Sequence, residues 1–217
     1  MDFFPVWLSL RVSLVATGLT ILLGIPLAWF LARRRHVGKE MMAALVVSPL
    51  VLPPTVLGYY LLVLIGNRGP LGRLLGRLGV ELAFTWRAAV LAACVGSLPL
   101  LIRAAQAGFE SVDERLEQAA RTLGRSEPSV VWSVSLPLAW RSVVAGVVLA
   151  FCRAFGDFGI TMMVAGNIPG RTQTLPLAIY DHVQANAMRE ANVLALLAVV
   201  AVIVLLVGVG RLVRVRY

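Results

Sequence analysis

A chain of 217 residues in which 59% are apolar and only 14% charged is not an ordinary water-soluble domain, whose charged share is about a quarter. Its net charge of +9 would suit nucleic acid, but the basic residues sit beside apolar runs and form no continuous patch. Its two cysteines, Cys94 and Cys152, both fall inside apolar runs and support neither a disulfide framework nor a metal site.

Five runs are apolar and long enough to span a bilayer, which takes about 20 helical residues. They cover 6–32, 41–65, 88–107, 138–155 and 191–210. Nothing comparable remains for a soluble domain, so the expected fold is one all-α integral membrane domain over 1–217 with about five transmembrane helices. The first run is too long, and too weakly preceded by positive charge, to be a cleaved signal. Gly18, Gly24 and Pro26 within it read as packing and kink positions.

The second run carries Pro49 and then Pro53-Pro54-Thr55. Each proline lacks an N–H and leaves the carbonyl four residues earlier without its helical partner, here Leu45, Pro49 and Leu50. In lipid such carbonyls are costly, so Pro53, Pro54 and Thr55 are expected to line a pathway or gate, or to sit in a kink buried in protein. The connector 66–87 has glycine at 66, 69, 72, 76 and 79 among leucines, and it predicts a short amphipathic surface helix. In the third run, Cys94 reads as a small packing residue. Ser97 and Pro99 form a second candidate polar patch facing a pathway.

The longest polar interval follows, 111–137, SVDERLEQAARTLGRSEPSVVWSVSLP. Ser111 and Glu114 make a capping-box pattern. Leu116, Ala120 and Leu123 recur at helical spacing, and Ala119 beside Ala120 keeps that face flat. Gly124 is the expected terminator. Ser126 and Pro128 can start a second short helix, ending before Leu136-Pro137. The predicted unit is a helix-turn-helix knob with a small-residue face and no core of its own. It needs a partner surface.

The fourth run ends with Arg153 and Asp157, four residues apart on one helical face. Counted from Leu138 at ~1.5 Å per residue, Arg153 lies about 22 Å along the span, near one boundary. The pair reads either as a structural ion pair or as part of an anion route or outer gate. The stretch Thr161–Glu190 is too broken for a sixth crossing. Segment 172–188 is expected to be a re-entrant or surface helix after the turn Asn167-Ile168-Pro169-Gly170. Twelve basic residues (Arg33, Arg34, Arg35, Lys39, Arg103, Arg115, Arg121, Arg125, Arg141, Arg211, Arg214, Arg216) share one predicted side, against six on the other. By the positive-inside rule the larger group is cytoplasmic, the amino terminus outside and the carboxyl terminus inside.

QAARTLG, then nine residues, then Val134-Ser135-Leu136-Pro137, resembles the EAA loop of ABC-importer permeases, E-A-A-x3-G-x9-I-x-L-P. The motif's glutamate position holds Gln118, with Glu117 one residue earlier, and the two are taken jointly. PLVLPPTVLGYYLL, FGDFG and NIPGRTQTLPLAIY further resemble permeases of the molybdate, tungstate and sulfate type, the molybdate members above all. The resemblance implies a type I ABC importer permease in the bacterial inner membrane, working as a homodimer with its pore on the two-fold axis. It also implies cytoplasmic ATPase subunits that hold ATP and Mg, an extracytoplasmic oxyanion-binding protein, and no cofactor in this chain. The connector 66–87 becomes a candidate docking surface for that binding protein. Glu117, Gln118, Ala119, Ala120, Leu123, Gly124, Leu136 and Pro137 become the ATPase-coupling residues.

No P-loop pattern occurs, so the chain offers no nucleotide site by that motif. His36 and His182 lie on opposite predicted sides and cannot share a metal. Two readings from other classes stay open. One is a membrane-embedded enzyme or scaffold, for which Arg153 and Asp157 are the sole weak candidates. The other is a free-standing channel or secondary transporter, although no inverted repeat is visible.

Overall fold

The computed structural model describes residues 3–33 and 38–213, and every regular element there is helical. The expected basic positions Arg34, Arg35, Arg214 and Arg216, with His36, lie outside the described residues. Among the described residues, four helical stretches are long and apolar enough to cross a membrane. They are α1 (Phe4–Arg33), α5 (Trp86–Glu110), α8 (Leu136–Phe155) with the helical turns leading into it, and α11 (Met188–Val213). Pro26 and Pro99 are accommodated inside α1 and α5 without ending either helix.

The second expected crossing is no single rod. It is a bent pair, α2 (Lys39–Val51) and α3 (Pro54–Ile65), whose axes meet at 111°. Leu52 and Pro53 are extended between them, and Pro54 stands in the first turn of α3, where its missing N–H costs nothing. Pro49, by contrast, is absorbed inside α2. The Leu45 carbonyl that it deprives of a partner accepts a hydrogen bond from Ser48 Oγ at 2.8 Å.

Three short helices complete this part of the fold: α4 (Pro70–Gly76), α9 (Gly159–Ala165) and α10 (Leu175–Gln184). With ten residues, about 15 Å, α10 is half the length of a crossing, so 172–188 forms no sixth span. It packs on α11, and its Leu175 N–H donates to Ser9 Oγ of α1 at 2.7 Å.

α5 is the central rod. Two-thirds of its apolar window (67%) is buried, against 6% for α11, whose hydrophobic surface lies almost wholly outside the chain's own core. α1 lies along one side of α5 through Val12, Ala16, Ala89 and Ala93. α8 lies along another, with Ile102, Phe109 and Val143 between them. Lipid tails give no hydrophobic drive for helices to meet, so the contact depends on close backbone approach at small residues. A Cβ on Gly108 would stand 2.5 Å from Ser142 Cβ, and one on Gly146 would stand 2.9 Å from Ala104 Cβ. Gly108→Val is therefore expected to lower the thermal midpoint and the monodisperse yield in detergent. Gly18→Ala, whose added Cβ meets nothing within 4 Å, should leave both unchanged.

Candidate functional site

The polar interval folds as a helical hairpin between α5 and α8. Its start differs from the capping-box expectation. α5 runs on to Glu110, so Ser111 closes that helix, and its hydroxyl donates to the Gly108 carbonyl at 2.7 Å. Asp113 takes the cap instead, its carboxylate accepting from the Arg115 N–H at 2.9 Å. α6 (Glu114–Thr122) follows, with Glu114 and Glu117 in the first turn, where the helix dipole favours negative charge.

Gly124 ends α6 as expected. Its φ of +80° is one that L side chains rarely adopt. The turn is a Schellman closure: Gly124 N–H donates to Arg121 O, and Arg125 N–H to Ala120 O. Ser126 then leads into α7 (Glu127–Val130). The second short helix does not stop before Leu136, contrary to expectation. It continues through one π-helical turn, Val131–Ser135, directly into α8. Pro137 supplies the reason. It has no N–H for the Ser133 carbonyl, and its ring would crowd that group, so the chain widens just before it, with Leu136 N–H bonding Val131 O.

The two faces of α6 differ sharply. Glu117 is 1% exposed and lies at the centre of a polar network. Its Oε1 accepts from Arg33 Nε at 2.9 Å and from Ser135 Oγ at 2.7 Å, and Arg33 Nη2 is 2.8 Å away. Arg121 Nη2 approaches Oε2 at 3.5 Å. Arg33 also donates to the Val112 carbonyl at 2.9 Å. Glu127 grips Arg121 from outside at 2.8 Å, and this hydrogen bond, the largest influence, pushes the Arg121 pKa above its ordinary value. Gln118 is exposed and takes no part in the network. Of the pair taken jointly from the sequence, the glutamate turns inward and the glutamine outward. The opposite face carries Leu116, Ala119 and Leu123, all exposed (Leu123 84%), with Ala120 half-buried beside them. Gly124 extends this face, while Leu136 and Pro137 lie at the base of the hairpin, half-buried and exposed respectively.

Two partners in this network, Arg33 and Ser135, could not be found by sequence reasoning. Arg33 reads only as the first of a basic run and Ser135 as a spacer within the motif. Their link to Glu117 spans 84 and 18 residues, so no local periodicity reveals it.

The pathway candidates divide into two groups. Pro53, Pro54 and Thr55 are exposed at the α2–α3 bend. α9 packs closely beneath: a Cβ on Gly159 would lie 2.7 Å from Pro54 Cβ, and one on Gly58 2.6 Å from Met163 Cβ. Asp157, just before α9, is buried. Its Oδ1 accepts from Arg153 Nη1 at 2.9 Å, and its Oδ2 from the Thr161 N–H at 2.9 Å and Thr161 Oγ1 at 2.7 Å. Arg153 remains one-third exposed (33%). The fold thus brings α9 to the proline break two residues after Asp157, while the Arg153 guanidinium lies against Gly96 of α5. The adjacent Ser97 is engaged elsewhere. It is fully buried in the α1–α5 seam, its hydroxyl 3.3 Å from Thr20 Oγ1 and donating to the Cys94 carbonyl. Among the described residues, no three His, Cys, Asp or Glu side chains gather as a metal site.

Comparison with known proteins agrees with this architecture. The sequence profile of the family described as "Binding-protein-dependent transport system inner membrane component" matches residues 24–215. The molybdenum transport system permease protein ModB of Escherichia coli K12 is 46% identical over 185 residues, covering 83% of this chain and 81% of that protein. ModB of Haemophilus influenzae is 40% identical over 209 residues, 96% of this chain and 90% of the relative. Among solved structures, an inward-facing MetNI methionine ABC transporter superposes with a TM-score of 0.73 at 20% identity, over 97% of this chain and 93% of that one. The fold is that of an ABC importer permease. The chain is a multi-pass membrane protein and belongs to the family of binding-protein-dependent transport system inner membrane components.

Proposed function

We propose that this chain is the membrane subunit of an ABC importer for molybdate, paired with a second copy of itself around a central passage. The observation that carries the reading is the identity of 40–46% to molybdenum permeases over more than four-fifths of the chain. Tungstate is the nearest alternative, being a dianion of the same tetrahedral shape, with sulfate and thiosulfate after it. The exposed face of α6 around Leu123 and Gly124 seats in a groove of a cytoplasmic ATPase subunit, which holds the ATP and Mg. The hairpin end of the bundle is then cytoplasmic, the amino terminus lies outside, and an oxyanion-binding protein delivers cargo at the opposite end.

Nucleotide binding draws the ATPase subunits together, and the hairpins carry that motion into the spans. The passage opens outward to accept the anion, then resets after hydrolysis. A tetrahedral dianion must be held weakly in transit, because a cage of arginines would trap it. A single partly neutralised guanidinium such as Arg153 suits brief contact, with Asp157 lowering its net charge and α9, which follows this pair, packed against the bend at Pro54. Carbonyls released at the bend repel an anion, so the break itself is better suited to a gate.

The test is reconstitution in proteoliposomes with the cognate ATPase and binding protein. Uptake of labelled molybdate should require ATP, and excess tungstate should suppress it more than equal sulfate. Undiminished uptake without the ATPase would overturn the reading, and preferential suppression by sulfate would overturn its substrate.

A further inference from the structure

Glu117 is one residue away from the position where the EAA pattern has its glutamate, and its carboxylate faces the interior of the protein. Burying a carboxylate is costly unless every lone pair is met, and here Arg33, Ser135 and Arg121 meet them. These partners come from three places. Arg33 is the last residue of α1, Ser135 closes the π turn at the foot of α8, and Arg121 belongs to α6 itself. Arg33 additionally holds the Val112 carbonyl in the turn that precedes α6.

Without these contacts, α6 would be held to its neighbours chiefly by the exposed Arg121–Glu127 pair. It is nine residues long and its opposite face is bare. It is bounded by the turn at Ser111–Asp113 on one side and the Gly124 closure on the other. A force on its exposed face would then rotate it about those turns.

We propose that Arg33, Glu117 and Ser135 form an internal joint that locks the docking helix to α1 and α8 at once, so that movement of the ATPase is passed to both spans together. Glu117 is thus a positioning residue and no contact for the ATPase. The adjacent π turn lets the joint close: it brings Ser135 Oγ within 2.7 Å of Glu117 while taking up the disruption caused by Pro137. This inference rests on α6 being the docking helix, as proposed above.

The measurement is molybdate taken up per ATP hydrolysed in proteoliposomes, together with the amount of ATPase that co-purifies. Glu117→Gln keeps the shape but leaves the buried Arg33 with only the exposed carboxylate of Glu114, 3.8 Å away, as counter-charge. It is expected to retain co-purified ATPase while uptake per ATP falls about tenfold. Ser135→Ala, which leaves the ion pair intact, should lower the same ratio about threefold. An unchanged ratio in Glu117→Gln overturns the joint. So does loss of ATPase from Glu117→Gln with an unchanged ratio in Ser135→Ala, because Glu117 would then be a docking contact. If Glu117→Gln fails to assemble as a dimer, Ser135→Ala decides alone, and a normal ratio there overturns the joint. The docking reading itself is tested separately by a charge on the exposed face. Full ATPase recovery with Leu123→Asp would overturn that reading whatever Glu117 does.

Discussion

Leu123→Asp is expected to abolish co-purification of the ATPase and with it all ATP-dependent uptake, while leaving the membrane subunit folded. Leu123 is 84% exposed and contributes nothing to the chain's own core, so the substitution costs the isolated subunit almost nothing. Its cost falls on the complex. Leu123 stands at the C-terminal end of a small-residue face, and burying a leucine side chain in a partner's groove contributes about 1.5–3 kcal/mol. Placing a carboxylate in the same groove adds desolvation, so a weakening of at least about a hundredfold is expected. The check is pull-down of tagged ATPase together with the thermal midpoint of the free subunit. Gly124→Val should act in the same direction through geometry. It strains the left-handed turn by about 1–2 kcal/mol and turns the face away from its groove.

Asp157→Ala is expected to destabilise the membrane domain itself, by about 3 kcal/mol, because it removes three hydrogen-bond acceptor contacts and leaves Arg153 without a counter-ion. The partial exposure of Arg153 keeps the cost toward the low end of what breaking a buried pair entails. Asp157→Asn should be milder, since an amide oxygen can still accept from Thr161. Arg153→Met separates structure from transport. It leaves Asp157 with both Thr161 bonds, so most stability is kept, but it removes the partly exposed cation of the pair. Nearly normal thermal stability with uptake reduced about tenfold would place Arg153 on the route of the anion. Normal uptake would assign the pair to structure alone.

The sequence made most of the helices legible because lipid imposes a strict length and apolarity on anything that crosses it. Boundaries such as 88–107 and 191–210 fall inside α5 and α11 for that reason. The hairpin was legible as an element because Gly124 and the apolar spacing of Leu116, Ala120 and Leu123 are local signals. Its interior was not. The cap moved from Ser111 to Asp113 because α5 outlasts its apolar run, and apolarity does not mark where a helix leaves the membrane. The Pro53-Pro54 break is expected from the prolines alone, but the packing of α9 against the bend joins residues about a hundred positions apart and leaves no local signal. Ser97 shows the converse: a polar residue in a span looked like lining for a pathway, yet its hydroxyl is engaged across a helix seam.

The bond from Leu175 N–H to Ser9 Oγ bears on how the protein is made. Of the described helices α1 is made first, and its Ser9 hydroxyl waits for a partner 166 residues further along the chain. During that interval the Ser9 hydroxyl can turn its proton to a carbonyl of its own helix, as Ser13 does, and α1 is held by its packing on α5 and α8 alone. Arrival of α10 then adds a polar tie to a helix made long before it. A polypeptide released short of Leu175 would carry α1 packed on α5 and α8 but without this stitch.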